Sequence, residues 1–236
     1  MYQIPTAKSL MSSQASPASP MANTQTCDLN AKPTSTSDRI NKANGLSHSR
    51  FYSIYVEPAL RLLSDDSAEI AFQSSSNISC DDFVACLDLI QTTSAAAYSA
   101  STKGWSRKEK EREMRDPRMR YLLLRDSSGL LGFIEFMLDR EDTFEVIYCY
   151  EIHTREDARG IGHGAKLMKL MEDIGRAVGV EKSMLTVFTS NGAAIRLYER
   201  IGYGLYDEEP VPASKRLRSG LKDKPRPSYI IMAKNL

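Results

Sequence analysis

Arg159-Gly160-Ile161-Gly162-His163-Gly164 lies between two stretches of different period. Ahead of it, residues 130–138 and 145–153 read as strands. Behind it, Leu167, Met168, Leu170, Met171, Ile174, Ala177 and Val178 recur at helical spacing, and Gly179 ends that helix. The six residues therefore form a strand-to-helix junction, with the helix opening near Gly162. Three glycines let the backbone come close to a ligand, and the helix start offers unpaired N–H groups and a positive dipole end. A phosphate or pyrophosphate suits such a turn, and Arg159 adds a full positive charge. A tight turn needs no ligand, so the junction alone does not decide. The spacing is not that of a dinucleotide fingerprint, and the Gly-Lys-Ser/Thr of a P-loop is missing.

Outward from the junction the chain alternates elements. Residues 68–72 read as a strand. Ser79-Cys80-Asp81-Asp82 offers an N-cap for a helix reaching about Tyr98, with Phe83, Leu87 and Ile90 as its apolar positions. Ser106-Arg107-Lys108-Glu109 opens a second, highly charged helix over residues 106–114, supported by Arg107 and Glu111 at i,i+4. Residues 120–125 form a strand, and Asp126-Ser127-Ser128-Gly129 turns it into an antiparallel meander with the two strands already named. Past the junction helix come a short strand over 183–188, a helix capped by Asn191 and ended by Gly202, and strands from Tyr203 and over 228–234. A mixed sheet flanked by helices, α/β (α+β), is the architecture these elements allow. Residues 1–50 are rich in Ser, Thr, Pro, Ala, Asn and Gln and show no apolar periodicity. They are expected as a disordered tail, with one domain over 51–236.

Downstream of the junction, Asn191, Ala194, Leu197, Tyr198, Gly202 and Tyr203 stand as NxxAxxLYxxxGY. With RxxGxG on a strand-to-helix junction before it, this resembles the GNAT N-acetyltransferase superfamily. The resemblance implies the GNAT fold, in which acetyl-CoA is held at a splay between two neighbouring strands. It assigns cofactor binding to Arg159, Gly160, Ile161, Gly162, His163 and Gly164, and to Asn191, whose plain alternative is an N-cap. A narrower likeness rests on Lys103-Gly104-Trp105, Asp139, Glu141, Tyr148-Cys149-Tyr150-Glu151-Ile152, Met184-Leu185-Thr186-Val187-Phe188 and Ser228-Tyr229. These pieces look like the NatD family of histone N-terminal acetyltransferases. That likeness implies acetylation of the first serine of core histones beginning Ser-Gly-Arg-Gly. The alternative is a GNAT enzyme acting on lysine or small amines.

The reaction needs a neutral amine. An α-amine has a pKa of about 7.7–8.0 and a lysine amine about 10.4, a gap worth roughly 3.5 kcal/mol, so an N-terminal substrate asks less of its base. Glu151 is the candidate base, with His153 as rival. In a regular strand Tyr148 and Tyr150 share one face while Cys149, Glu151 and His153 share the other. All serve one pocket only if the strand bulges or the sheet opens there. Tyr148 and Tyr150 are expected to wall the peptide channel, and Tyr198 to protonate the departing thiolate. Backbone N–H groups of Leu185 and Val187 are expected to polarise the thioester carbonyl. Asp139, Glu141, Asp207, Glu208 and Glu209 could make an acidic mouth for a substrate guanidinium. Trp105 and Tyr229 complete the expected substrate contacts.

The composition narrows the rest. Among 236 residues the formal net charge is +1, so no global field draws the chain to nucleic acid or membrane. Nucleic acid is expected to be reached only through chromatin, and the basic stretch over 215–226 is read as a solvated loop or a DNA-attracting one. Cys27, Cys80, Cys86 and Cys149 form no CxxC pair and only three histidines accompany them, so no metal site is expected. The expected partners are histone N-terminal tails, the expected locations nucleus and cytoplasm, and the expected state a monomer.

Overall fold

Residues 38–63, 68–206 and 228–236 are described by the computed structural model. The meander forms as read: β2 (Arg120–Asp126), β3 (Gly129–Glu141) and β4 (Phe144–Thr154) pair antiparallel, and β1 (Glu69–Ser74) adds antiparallel to β2. The strand β5 (Lys182–Phe188) joins β4 in parallel, as the helix α6 (His163–Val178) between them requires. The last strand, β7 (Tyr229–Asn235), inserts between β5 and the two-residue β6 (Gly204–Leu205), giving the order β1-β2-β3-β4-β5-β7-β6.

Helices cover both faces of this sheet. On one lie α1 (Asp38–Asn44), α2 (His48–Phe51), a π-helical turn (Tyr52–Val56), α3 (Glu57–Arg61) and α6, around Leu122, Leu124, Ile134, Phe136, Ile147 and Leu185. The other carries α4 (Cys80–Ala100) and α5 (Arg107–Met114), packed on Tyr121, Leu123, Phe133, Met137, Tyr148 and Tyr150. Alternation along each strand sends successive residues to opposite layers. The helix α7 (Gly192–Arg200) brings Tyr198 into the α6 layer, and Tyr203, just past its end, joins it there. A Cβ on Gly175 would lie 2.8 Å from Ile147 Cγ2, so only glycine lets α6 sit this close to β4.

Several local signals act as the sequence indicates. Ser79 Oγ accepts from Asp82 N at 3.1 Å and Ser106 Oγ from Glu109 N at 3.3 Å. Gly179 ends α6 with φ of 87°. Two readings need correction. The folded elements begin at Asp38, ahead of Phe51, because Ile40 and Ala43 of α1 are buried in the core and Asn44 Nδ2 donates to Leu138 O at 3.1 Å. Arg107 does not pair along its helix with Glu111. It reaches Asp88 at 2.7 Å and Gln91 at 2.7 Å on α4, while Glu111 pairs with Arg115 at 3.3 Å. Residues 1–37 of the expected tail, the acids Asp207, Glu208 and Glu209, and the basic stretch 215–226 lie outside the described residues.

Candidate active site

A one-residue bulge builds the site. Register runs Phe136↔Cys149 and then Glu135↔Glu151, so Tyr150 is an extra residue on β4. The extra residue resets the alternation. Cys149 keeps the α6 side, whereas Glu151 and His153 turn to the α4–α5 side, the face of Tyr148 and Tyr150. Immediately beyond, the sheet opens. The β4–β5 ladder ends at Cys149↔Leu185, while β5 continues to Phe188 against Tyr229 of β7. Tyrosines and carboxylate thus meet at the mouth of a splay.

Glu151 is buried and fully engaged. Its Oε1 accepts from Tyr98 OH at 2.7 Å and Lys110 Nζ at 2.6 Å, and its Oε2 lies 2.7 Å from His153 Nε2. Burial alone would raise its pKa. The Lys110 ammonium and then His153 outweigh that and hold the carboxyl well below the usual range. Lys110 is itself buried and also paired with Glu113. Burial works against its charge, but Glu151, Tyr98 and Glu113 keep it protonated. Glu151 as placed is therefore a carboxylate with both oxygens engaged.

The tyrosines differ from one another. Tyr148 OH lies 2.6 Å from Thr186 Oγ1, just past the last β4–β5 pair, and its ring stands 5.4 Å from that of Tyr150. Tyr150 OH is buried and has no hydrogen-bond partner among the described residues, so a bound group is its natural complement. Tyr198 is buried on α7; burial raises its pKa, with Cys149 and Glu151 near enough to add to the effect. A phenol kept protonated in this way retains a proton to give.

At the glycine junction, Gly162 caps α6 with φ of 97° and no side-chain bond, and Gly160 has φ of 82°. A Cβ at either would meet nothing within 4 Å, so the turn is open on its outer side. The first helical N–H groups, from His163 onward, face that opening. The residues present thus fit a diphosphate. Arg159 is exposed at the same turn, its Nε 3.4 Å from Thr154 O, and Ile161 is 71% exposed. Gly164 has a different part: its Cβ would sit 3.3 Å from Leu197 Cδ2, so it lets α6 approach α7. Asn191 Oδ1 accepts from Ala194 N at 3.2 Å, which is the N-cap alternative.

Of the acids expected to form a mouth, Asp139 and Glu141 are among the described residues, and each is already engaged or buried. Asp139 is taken by Arg118 at 3.2 Å, and Arg118 is also held by Asp116. Glu141 is fully buried near the hairpin end. Trp105 is half-buried against Tyr98, rings 5.6 Å apart, beside a small pocket also lined by Lys103, Lys110 and Glu113. Tyr98 meets Phe188 edge-on at 5.0 Å, and Phe188 stands opposite Tyr229. Sequence reasoning missed Tyr98, Lys110, Glu113, Thr93 and Arg118. The signal for one of them was Met114, the sole apolar side chain of α5. It marks the buried stripe, and Lys110 stands four residues before it.

Residues 87–203 match the acetyltransferase (GNAT) family. N-alpha-acetyltransferase 40 from Saccharomyces cerevisiae is 31% identical over 162 residues, covering 57% of this chain and 55% of that protein. The chain thus spans about half the length of the curated relatives it matches. Among solved structures, an acetyltransferase from Streptococcus agalactiae superposes with TM-score 0.53 at 15% identity, over 73% of this chain and 100% of that one. A GCN5-related N-acetyltransferase from Kribbella flavida gives TM-score 0.51 at 17% identity, over 71% of this chain and 98% of that one. The family match runs from α4 through the meander, the glycine turn and α6 to the end of α7, the same elements that frame the splay, and the chain has the fold of the acetyltransferase (GNAT) family.

Proposed function

We propose that this protein transfers the acetyl group of acetyl-CoA to the α-amine of an N-terminal serine, with core histones beginning Ser-Gly-Arg-Gly as substrate. The observation that carries the reading is the bulge at Tyr150, which brings Tyr148, Tyr150 and Glu151 to one face at the open end of the β4–β5 splay. The likeness to a yeast N-alpha-acetyltransferase supports the α-amine. Bound acetyl-CoA supplies an activated acyl group as a thioester.

The chain's residues divide the work. The N–H groups after Gly162, with Arg159, hold the diphosphate. Backbone N–H groups on the β5 edge past Leu185 polarise the carbonyl oxygen. Tyr150 OH, buried and unpartnered among the described residues, receives the peptide's amine end. Glu151, held ionised by Lys110, stabilises the α-ammonium as it enters and the charge that develops on nitrogen during attack. Tyr198 gives its proton to the leaving sulfur. Asp139 receives the substrate guanidinium in exchange for Arg118, and Trp105 and Tyr229 flank the peptide.

This reading gives a monomer working in nucleus and cytoplasm, touching nucleic acid only through chromatin. Acetyl-CoA with a Ser-Gly-Arg-Gly peptide carrying a downstream lysine is the test, read by fragmentation mass spectrometry. Acetate on the terminal serine nitrogen is expected. Acetate on the lysine side chain alone would favour the lysine-directed alternative.

A further inference from the structure

We propose that Glu151 and His153 form one acid–base unit that holds a single shared proton in the resting enzyme, with Thr93 fixing the arrangement. His153 is then a positioning residue that sets the protonation state of Glu151. The proposal rests on the acetyl-transfer reading for its catalytic consequence, but not for its geometry.

The geometry leaves little freedom. Thr93 Oγ1 lies 2.7 Å from Leu89 O and 2.6 Å from His153 Nδ1. A carbonyl oxygen only accepts, so the single hydroxyl proton goes to Leu89. His153 Nδ1 must then donate to Thr93. A neutral imidazole that donates from Nδ1 has a bare Nε2. That nitrogen faces Glu151 Oε2 at 2.7 Å, where two lone pairs would repel. The contact therefore contains a proton, as imidazolium–carboxylate or imidazole–carboxylic acid. Oε1 cannot relax the arrangement, since Tyr98 and Lys110 both donate to it.

The surroundings enclose the unit among other charged and titratable groups. From α4 it is faced by Tyr98, from the α4–α5 connection by Lys103, and from α5 by Lys110 and Glu113. From β3 it is faced by Glu135, from β4 by Cys149, and from α7 by Tyr198. Lys103 and Lys110 share the single anion Glu113, so the near charges are balanced only when Glu151 is counted as Lys110's second partner. The Phe133 ring lies 5.7 Å from the imidazole, tilted to it by 32°.

A unit already holding its proton cannot take another from substrate. Turnover starts once that proton has left to solvent. The α-ammonium then passes one proton to the unit, and the free amine attacks the thioester carbonyl carbon. The C–N bond forms and the C–S bond breaks. The second nitrogen proton balances the one taken up by the departing thiolate, and the unit returns its own to solvent.

Ring 15N NMR of the labelled protein without substrate reads the arrangement directly. Three histidines occur, and H153Q identifies the signal of His153. At neutral pH a proton on Nδ1 is expected together with one in the Nε2–Oε2 contact, and T93V should remove the Nδ1 proton. A ring protonated only at Nε2 in the native protein overturns the proposal. In kinetics, H153Q keeps a hydrogen-bond donor but carries no exchangeable ring proton. The acid limb of its kcat–pH profile should move by about one unit or more, with KM for acetyl-CoA retained. A profile superposing on the native one also overturns it. Native protein that shows the ring signature yet transfers no acetyl group would sink the functional reading alone.

Discussion

Lys110 carries more of the site than its place in a charged helix suggests. It is a buried cation whose partners, Glu113 and Glu151, are buried with it. Removing one member of such a set leaves an uncompensated charge, so K110M should destabilise by about 3–5 kcal/mol, read by denaturant unfolding. Glu135 offers the contrast. It is fully buried, burial pushes its carboxyl well up, and Tyr121 OH already donates to Met114 O. Glu135 therefore sits neutral, and E135Q should unfold within about 1 kcal/mol of the native protein. For substrate choice, D139N should raise KM for a Ser-Gly-Arg-Gly peptide about tenfold, the worth of one charge-assisted hydrogen bond. A Ser-Gly-Ala-Gly peptide should show no such change. At this scale the sequence singled out Glu151, Tyr148, Tyr150 and Tyr198 as candidates by motif. It did not reveal that Lys110 and Arg118 hold Glu151 and Asp139, because ion pairs across elements leave no spacing in one dimension.

At the scale of elements, the glycine turn and the bulge were legible to different degrees. Gly160 and Gly162 announce positive φ through their identity alone. A residue with a Cβ at Gly162 meets no clash but pays the left-handed backbone penalty, about 1 kcal/mol for alanine, and crowds the side proposed for a diphosphate. G162A should weaken coenzyme A binding in calorimetry while unfolding changes little beyond that amount. The bulge had no such marker. Alternation along residues 145–153 reads as unbroken, and only the chemical demand that Tyr148, Tyr150 and Glu151 share a pocket required an interruption. Gly164 shows a second demand: read from the sequence only as part of the cradle, it also spares the Leu197 side chain of α7. Neighbouring glycines can serve unrelated contacts, and the sequence does not separate them.

For the whole molecule, acid should act through the buried carboxylates. Glu151 is held below its ordinary range, so its contribution to stability is complete above the unfolded value of about 4.3 and is lost as pH falls below it. E151Q should flatten that acid limb in a pH series of thermal unfolding. Strand order was the least legible property. Periodicity supplied every strand, but nothing in residues 228–234 says that β7 enters between β5 and β6. That insertion has a consequence during synthesis. Both neighbours of β7 leave the ribosome before it does, so for a time β5 has nothing to lean on beyond its short ladder with β4. A nascent chain halted before Tyr229 would carry the glycine turn and the NxxAxxLYxxxGY stretch and yet lack the wall against which its groove is drawn taut.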